Sequence, residues 1–67
     1  MKIRLLKNTG YGGLGRVQFP VEVVGHKDSA GSFYVFGEDL ISVGADEDSF
    51  MRGYRYYWIG TKVEVIS

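Results

Sequence analysis

The sequence predicts an all-β chain, folded as one small antiparallel barrel of five or six short strands spanning residues 1–67. Three observations point there. Ten glycines divide the chain into short segments rich in Val, Ile, Phe and Tyr, the residue types enriched in strands. Within those segments apolar and polar residues alternate, which is the period of a half-buried strand. No apolar 3.6-residue period continues beyond two turns, so helix signals are nearly absent.

The elements follow in order. Lys2–Lys7 sets Ile3 and Leu5 on one face, with Lys2 and Arg4 on the other. Asn8–Gly15 holds four glycines in eight positions and reads as a loop that uses glycine's access to positive φ. Val17, Phe19, Val21 and Val23 share the face of the next strand, opposite Gln18, Pro20, Glu22 and Val24; Pro20 cannot donate to a ladder and marks an edge or a bulge. Gly25–Ser32 reads as a polar turn. Ser32–Gly37 is a strand with Phe33 and Val35 on one face and Tyr34 and Phe36 on the other. Glu38-Asp39 reads as a turn before a short strand at Leu40–Val43. Residues 44–53 are the most hydrophilic stretch, where Asp48 or Ser49 would cap a single helical turn through Phe50-Met51-Arg52. The last strands are Tyr54–Ile59 and Lys62–Ile66, joined through Gly60-Thr61. The expected core is Ile3, Leu5, Val17, Phe19, Val21, Val23, Phe33, Val35, Ile41, Val43, Trp58, Val63 and Val65.

An antiparallel sheet this short protects its edges and buries two faces by full or partial closure, and an SH3-like barrel fits the length. A chain of 67 residues is near the lower limit for an autonomous core. Its usual supports are disulfides, a metal, self-association or efficient packing. The chain has no cysteine and one histidine, which excludes disulfides and thiolate or histidine-rich metal sites. One tryptophan, five tyrosines and four phenylalanines favour dense aromatic packing. The longest apolar runs are about four residues, against roughly 20 for a membrane-spanning helix. No signal peptide is legible in Met1–Lys7, so a cytoplasmic protein with no membrane partner is the expectation.

Net charge is zero, which gives no electrostatic drive toward nucleic acid. The charges are nonetheless segregated. Residues 1–27 carry five cations and one anion, residues 28–48 carry six anions and no cation, and residues 49–67 carry three cations and one anion.

Chemistry-bearing motifs are few. Gly10–Gly15 is followed by Arg16-Val17 rather than by the lysine and hydroxyl of a phosphate loop, so no nucleotide cofactor is expected. His26-Lys27-Asp28-Ser29 places a histidine, an acid and a hydroxyl close in sequence, without the nucleophile elbow or oxyanion loop of a hydrolase. Asp46-Glu47-Asp48 supplies oxygen ligands but lacks the spacing of a calcium loop. The chain is expected to be no enzyme and to carry neither a cofactor nor a metal.

The strongest candidate for a site is Arg52-Gly-Tyr-Arg-Tyr-Tyr-Trp58. As a strand it puts Tyr54, Tyr56 and Trp58 on one face and Arg55, Tyr57 and Ile59 on the other. This is more aromatic surface than one face can bury. Tyr and Arg are enriched at protein–protein interfaces, and Arg52, Tyr54, Arg55, Tyr57 and Tyr34 form the expected protein-binding surface. Aromatic platforms with adjacent cations also bind single strands. The alternative is therefore a nucleic-acid surface of Tyr11, Arg16, Arg55 and Tyr57. A third expectation is a structural subunit that self-associates through an exposed strand edge.

Leu5-Leu6-Lys7, followed by Gly10-Tyr11-Gly12-Gly13-Leu14-Gly15-Arg16-Val17, resembles the KOW element of ribosomal and transcription-factor barrels over about thirteen residues. The basic loop that such elements direct at RNA is missing here. The whole chain also resembles short phage-type and bacterial proteins that begin with Lys-Ile/Val-Arg and a glycine loop and end with an aromatic strand and Val-Glu-Val-Ile. Both resemblances imply an SH3-like barrel. The second implies a phage or mobile-element accessory protein that engages a host protein. Neither carries an activity.

Overall fold

The computed structural model describes residues 1–67. Two three-stranded antiparallel sheets contribute to one core. The first has the order β2-β1-β6, with β1 at Lys2–Leu5, β2 at Val21–Val24 and β6 at Val63–Val65. The second has the order β3-β4-β5, with β3 at His26–Lys27, β4 at Phe33–Phe36 and β5 at Arg55–Trp58. A six-residue helix, α1 (Gly37–Ser42), follows β4, and a single 3₁₀ turn at Gly60–Lys62 leads into β6. The two sheets remain separate in their pairing, so the strands form no closed cylinder. No helix is long and apolar enough to cross a membrane.

Alternation in β1 sets the first sheet. Ile3 and Leu5 are wholly inaccessible to solvent, and Arg4, on the opposite face, forms ion pairs with Glu22 and Glu64 of the flanking strands. The register places Arg4 directly across from both acids. The chain passes from β2 to β3, and so from one sheet to the other, at Gly25. A Cβ at this position would overlap the buried Ile3 side chain, so glycine is required here for space. Hydrogen bonds between Gly25 and Met1 in both directions fix the crossing.

The core combines Ile3, Leu5, Leu14, Val17, Val23, Val35, Leu40, Ala45, Phe50 and Trp58. Six of these were expected from alternation. Phe19, Val21, Phe33, Ile41, Val43 and Val63 pack against the cluster while partly buried. Val65 is not core: it points inward at the open end of an edge strand and stays half exposed.

Four expectations need correction. Residues Leu40–Val43 are not a strand. Gly37–Ser42 is helical, with Glu38 and Asp39 in its first turn, where acids favour the positive end of the helix dipole. So short a helix is held by packing, here through the inaccessible Leu40. The helix expected at Phe50–Arg52 is absent. Asp46 instead folds an Asx turn, its Oδ1 accepting from the Asp48 N–H and its carbonyl from Ser49. The strand expected over Val17–Val24 begins only at Val21, because Pro20 has no N–H for the ladder; Phe19 and Pro20 are joined by a cis bond. Within the expected polar turn Gly25–Ser32, His26 and Lys27 pair with Tyr34 and Phe33 as β3.

Three substitutions test this packing by urea denaturation. Leu40→Ala should cost about 2–5 kcal/mol, as truncation in a filled core does, and Ile41→Ala should cost clearly less. Gly25→Ala should cost about 1–3 kcal/mol through overpacking against Ile3. An unchanged midpoint for Gly25→Ala would show that the strand crossing is less crowded than described.

Candidate partner-binding face

The second sheet has two unlike faces. Toward the core, Tyr56 and Trp58 of β5 meet Phe33 and Val35 of β4. Trp58 donates its indole N–H to the Lys7 carbonyl at 2.9 Å. Tyr11, from the glycine-rich loop, closes this side. Its ring lies 5.4 Å from Trp58, 5.7 Å from Tyr56 and 6.0 Å from Phe50, and its hydroxyl donates to the Tyr57 carbonyl at 2.8 Å. Asn8 holds the loop in this shape, its Oδ1 accepting from the Gly10 and Tyr11 N–H groups and its Nδ2 donating to the Tyr11 carbonyl.

On the outer face, cross-strand register brings His26, Tyr34 and Tyr57 into one row and Phe36 and Arg55 into the next. Tyr34 lies at the centre. His26 stacks on it with centroids 5.2 Å apart and planes 19° apart. Tyr57 is 5.4 Å away and Phe36 5.7 Å, while Phe36 also meets His26 at 5.0 Å. The Arg55 guanidinium carbon sits 4.4 Å from the Tyr34 centroid, within the range of a cation–π contact. The proton on Arg55 is held more tightly than in a free arginine, first through Tyr57 and then through Tyr34. Its charge is therefore fixed at any ordinary pH.

These neighbours leave Tyr34 only 8% exposed, while Tyr57 remains 41% exposed and Arg55 is open to solvent. Tyr34 is thus a floor on which the contacting groups stand. Of the eight lysine and arginine side chains, Arg4 alone pairs with a carboxylate. Arg55 is oriented by aromatic contact while its donor edge faces no acid. The acid that acts on it, Asp28, forms no ion pair with it; its Oδ1 accepts from the Ala30 and Ser32 N–H groups of its own turn.

Of the expected protein-binding residues, the structure brings together Tyr34, Arg55 and Tyr57. Arg52 and the exposed Tyr54 lie in the loop before β5, where Glu38 accepts from the Gly53 N–H at 2.8 Å. That bond, followed by the helix's own backbone, holds the Glu38 carboxyl below its ordinary value, and nearby Arg52 adds to the effect. No stacking contact ties Arg52 or Tyr54 to the ring cluster.

The alternative nucleic-acid set is divided. Arg55 and Tyr57 are on the outer face, and Tyr11 is packed on the inner side of the same strand. Arg16 borders a separate open groove of about 670 Å³, shared with Gly13, Gly44 and Asp46–Asp48. Those carboxylates do not converge into a cluster that could hold a metal ion. His26, Asp28 and Ser29 likewise do not converge, since His26 is turned onto Tyr34 and Asp28 into its turn. Sequence reasoning missed His26 and Phe36 as members of the face. For Phe36 the signal was present, because alternation set it beside Tyr34.

Burial raises the Tyr11 phenol above its ordinary 10.0, and the neighbouring Tyr56 adds to the effect. The folded chain therefore binds this proton more tightly than the unfolded chain does. The resulting stability is complete below about pH 10 and is lost as pH rises through the higher folded-state value. Urea midpoints of the wild type should thus fall more steeply above pH 10 than those of Tyr11→Phe; parallel curves would rule this out. In comparisons with protein-family models, curated proteins and solved structures, the chain matches none.

Proposed function

We propose that this chain is a non-enzymatic protein-binding module that meets its partner through the outer face of β3-β4-β5. The observation that carries this reading is the pairing of exposed Tyr57 and Arg55 on a buried aromatic floor. Tyr and Arg are enriched among interface hot spots because they present a large rigid ring or a preorganised donor fork. Here both are already held by Tyr34. The reading extends to an SH3-like barrel, supported by β1, which pairs with β2 and with the last strand β6 and so brings the two ends of the chain together. The resemblance to phage-type proteins makes the partner a host protein and the setting the host cytoplasm. Net neutrality and the separation of Tyr11 and Arg16 from Arg55 favour protein over nucleic acid.

The reading is tested by placing a photo-crosslinking residue at position 57 and, as a control on the opposite sheet, at position 64. Irradiation in the native cells should yield discrete protein adducts at 57 and none at 64. Equal adducts at both positions, or adducts removed by nuclease, would overturn it. Against the captured partner, Tyr57→Ala should weaken binding by about 2 kcal/mol, the scale of a hot-spot truncation, with the urea midpoint little changed.

A further inference from the structure

Resting on that reading, we infer that the ligand of the outer face is an extended acidic peptide segment. An Asp or Glu side chain would lie on Arg55, and a neighbouring aliphatic side chain would rest against Tyr57, His26 and Phe36. Charge complementarity selects this occupant. The guanidinium is fixed over Tyr34 at 4.4 Å, carries no ion pair, and offers the planar fork that binds a carboxylate through two parallel hydrogen bonds. The nearby Asp28 carboxylate does not take that place: one of its oxygens is held in its own turn by Ala30 and Ser32, and it forms no ion pair with Arg55. Apart from Asp28, the groups around this single fixed cation are aromatic, so one acid flanked by apolar groups matches it and a run of phosphates does not.

Three other ligands fit less well. A quaternary or methylated ammonium seeks the open face of aromatic rings, but here the chain's own Arg55 covers Tyr34 and would repel it. A single nucleic-acid strand needs several cations along its path, and Arg16 borders a different groove. A terminal carboxylate is characteristically captured by a nest of backbone N–H groups, whereas this face recognises through side chains. An internal acidic residue is the remaining source.

Selection from a display library of random decapeptides fused at both ends, so that no free terminus is presented, tests the inference on the 67-residue chain. The enriched pool should carry Asp or Glu beside Leu, Ile or Val. For a peptide taken from that pool, Glu→Gln should weaken binding at least about tenfold, and so should R55Q. R55K keeps the charge but loses the fork, and it should fall in between. Thermal unfolding of both variants should match the wild type. Should R55Q fail to fold, the peptide Glu→Gln comparison and R55K still decide. A pool without acids, or acidic binders indifferent to R55Q and R55K, would overturn the ligand class. If such a pool still competed with crosslinking at position 57, the protein-binding reading would stand without it. Arg55-dependent binding of labelled oligo-dT, with no peptide enriched, would overturn both.

Discussion

The hydrogen bond from the Trp58 indole to the Lys7 carbonyl, made inside a ring of aromatic contacts, is the constraint on which the molecule depends. Each sheet has one covered face, and a 67-residue chain has few side chains with which to cover both. Trp58 belongs to the second sheet but bonds to Lys7, two residues beyond the first strand of the other sheet. Its ring also meets Tyr11 and Phe19. One residue therefore joins β5, the exit of β1, the glycine loop and the segment before β2. The indole N–H is satisfied while its ring is buried, which is the condition for placing tryptophan in a core.

The same strand distributes its aromatic excess between two tasks. Tyr56 and Trp58 seal the interior; Tyr57 and Arg55, one residue out of phase, stand outside. The backbone link between these tasks is direct, since the Tyr11 hydroxyl reaches from the inner side to the Tyr57 carbonyl. Tyr11 also covers part of the β5 edge. This matters because an uncovered edge strand invites pairing with other chains.

Much of this was legible in the residues. Strict alternation identified β1, β4 and β5, together with the facing of Ile3, Leu5, Val35, Trp58, Tyr57 and Arg55, because a period of two leaves only two possible arrangements. The helix Gly37–Ser42 was not legible. Its Leu-Ile pair is equally apolar in either state, and the deciding factor was a tertiary pocket for Leu40. Leu14, Ala45 and Phe50 were missed for a related reason: they enter the core from loops, where no periodicity marks them. At the candidate face, chemistry named Arg55, Tyr57 and Tyr34, but only the pairing of β3 with β4 brought in His26. Sequence also gave no sign that Tyr34 would be a floor and Tyr11 an interior wall.

A floor that holds its contact groups before any ligand arrives has an entropic consequence. Long side chains such as arginine carry roughly 2 kcal/mol of rotamer freedom, which ordering at an interface forfeits. With Arg55 held on Tyr34, much of that loss is taken during folding, so for the proposed ligand a small contact area would suffice for useful affinity. Such rigidity also limits adaptability. Surfaces that accept many partners repack flexible side chains around each one, whereas five interlocked groups on three short strands offer one relief. Selectivity at this face would thus arise from the shape of an immobile surface, and sequence drift in a partner would be felt as lost fit rather than absorbed.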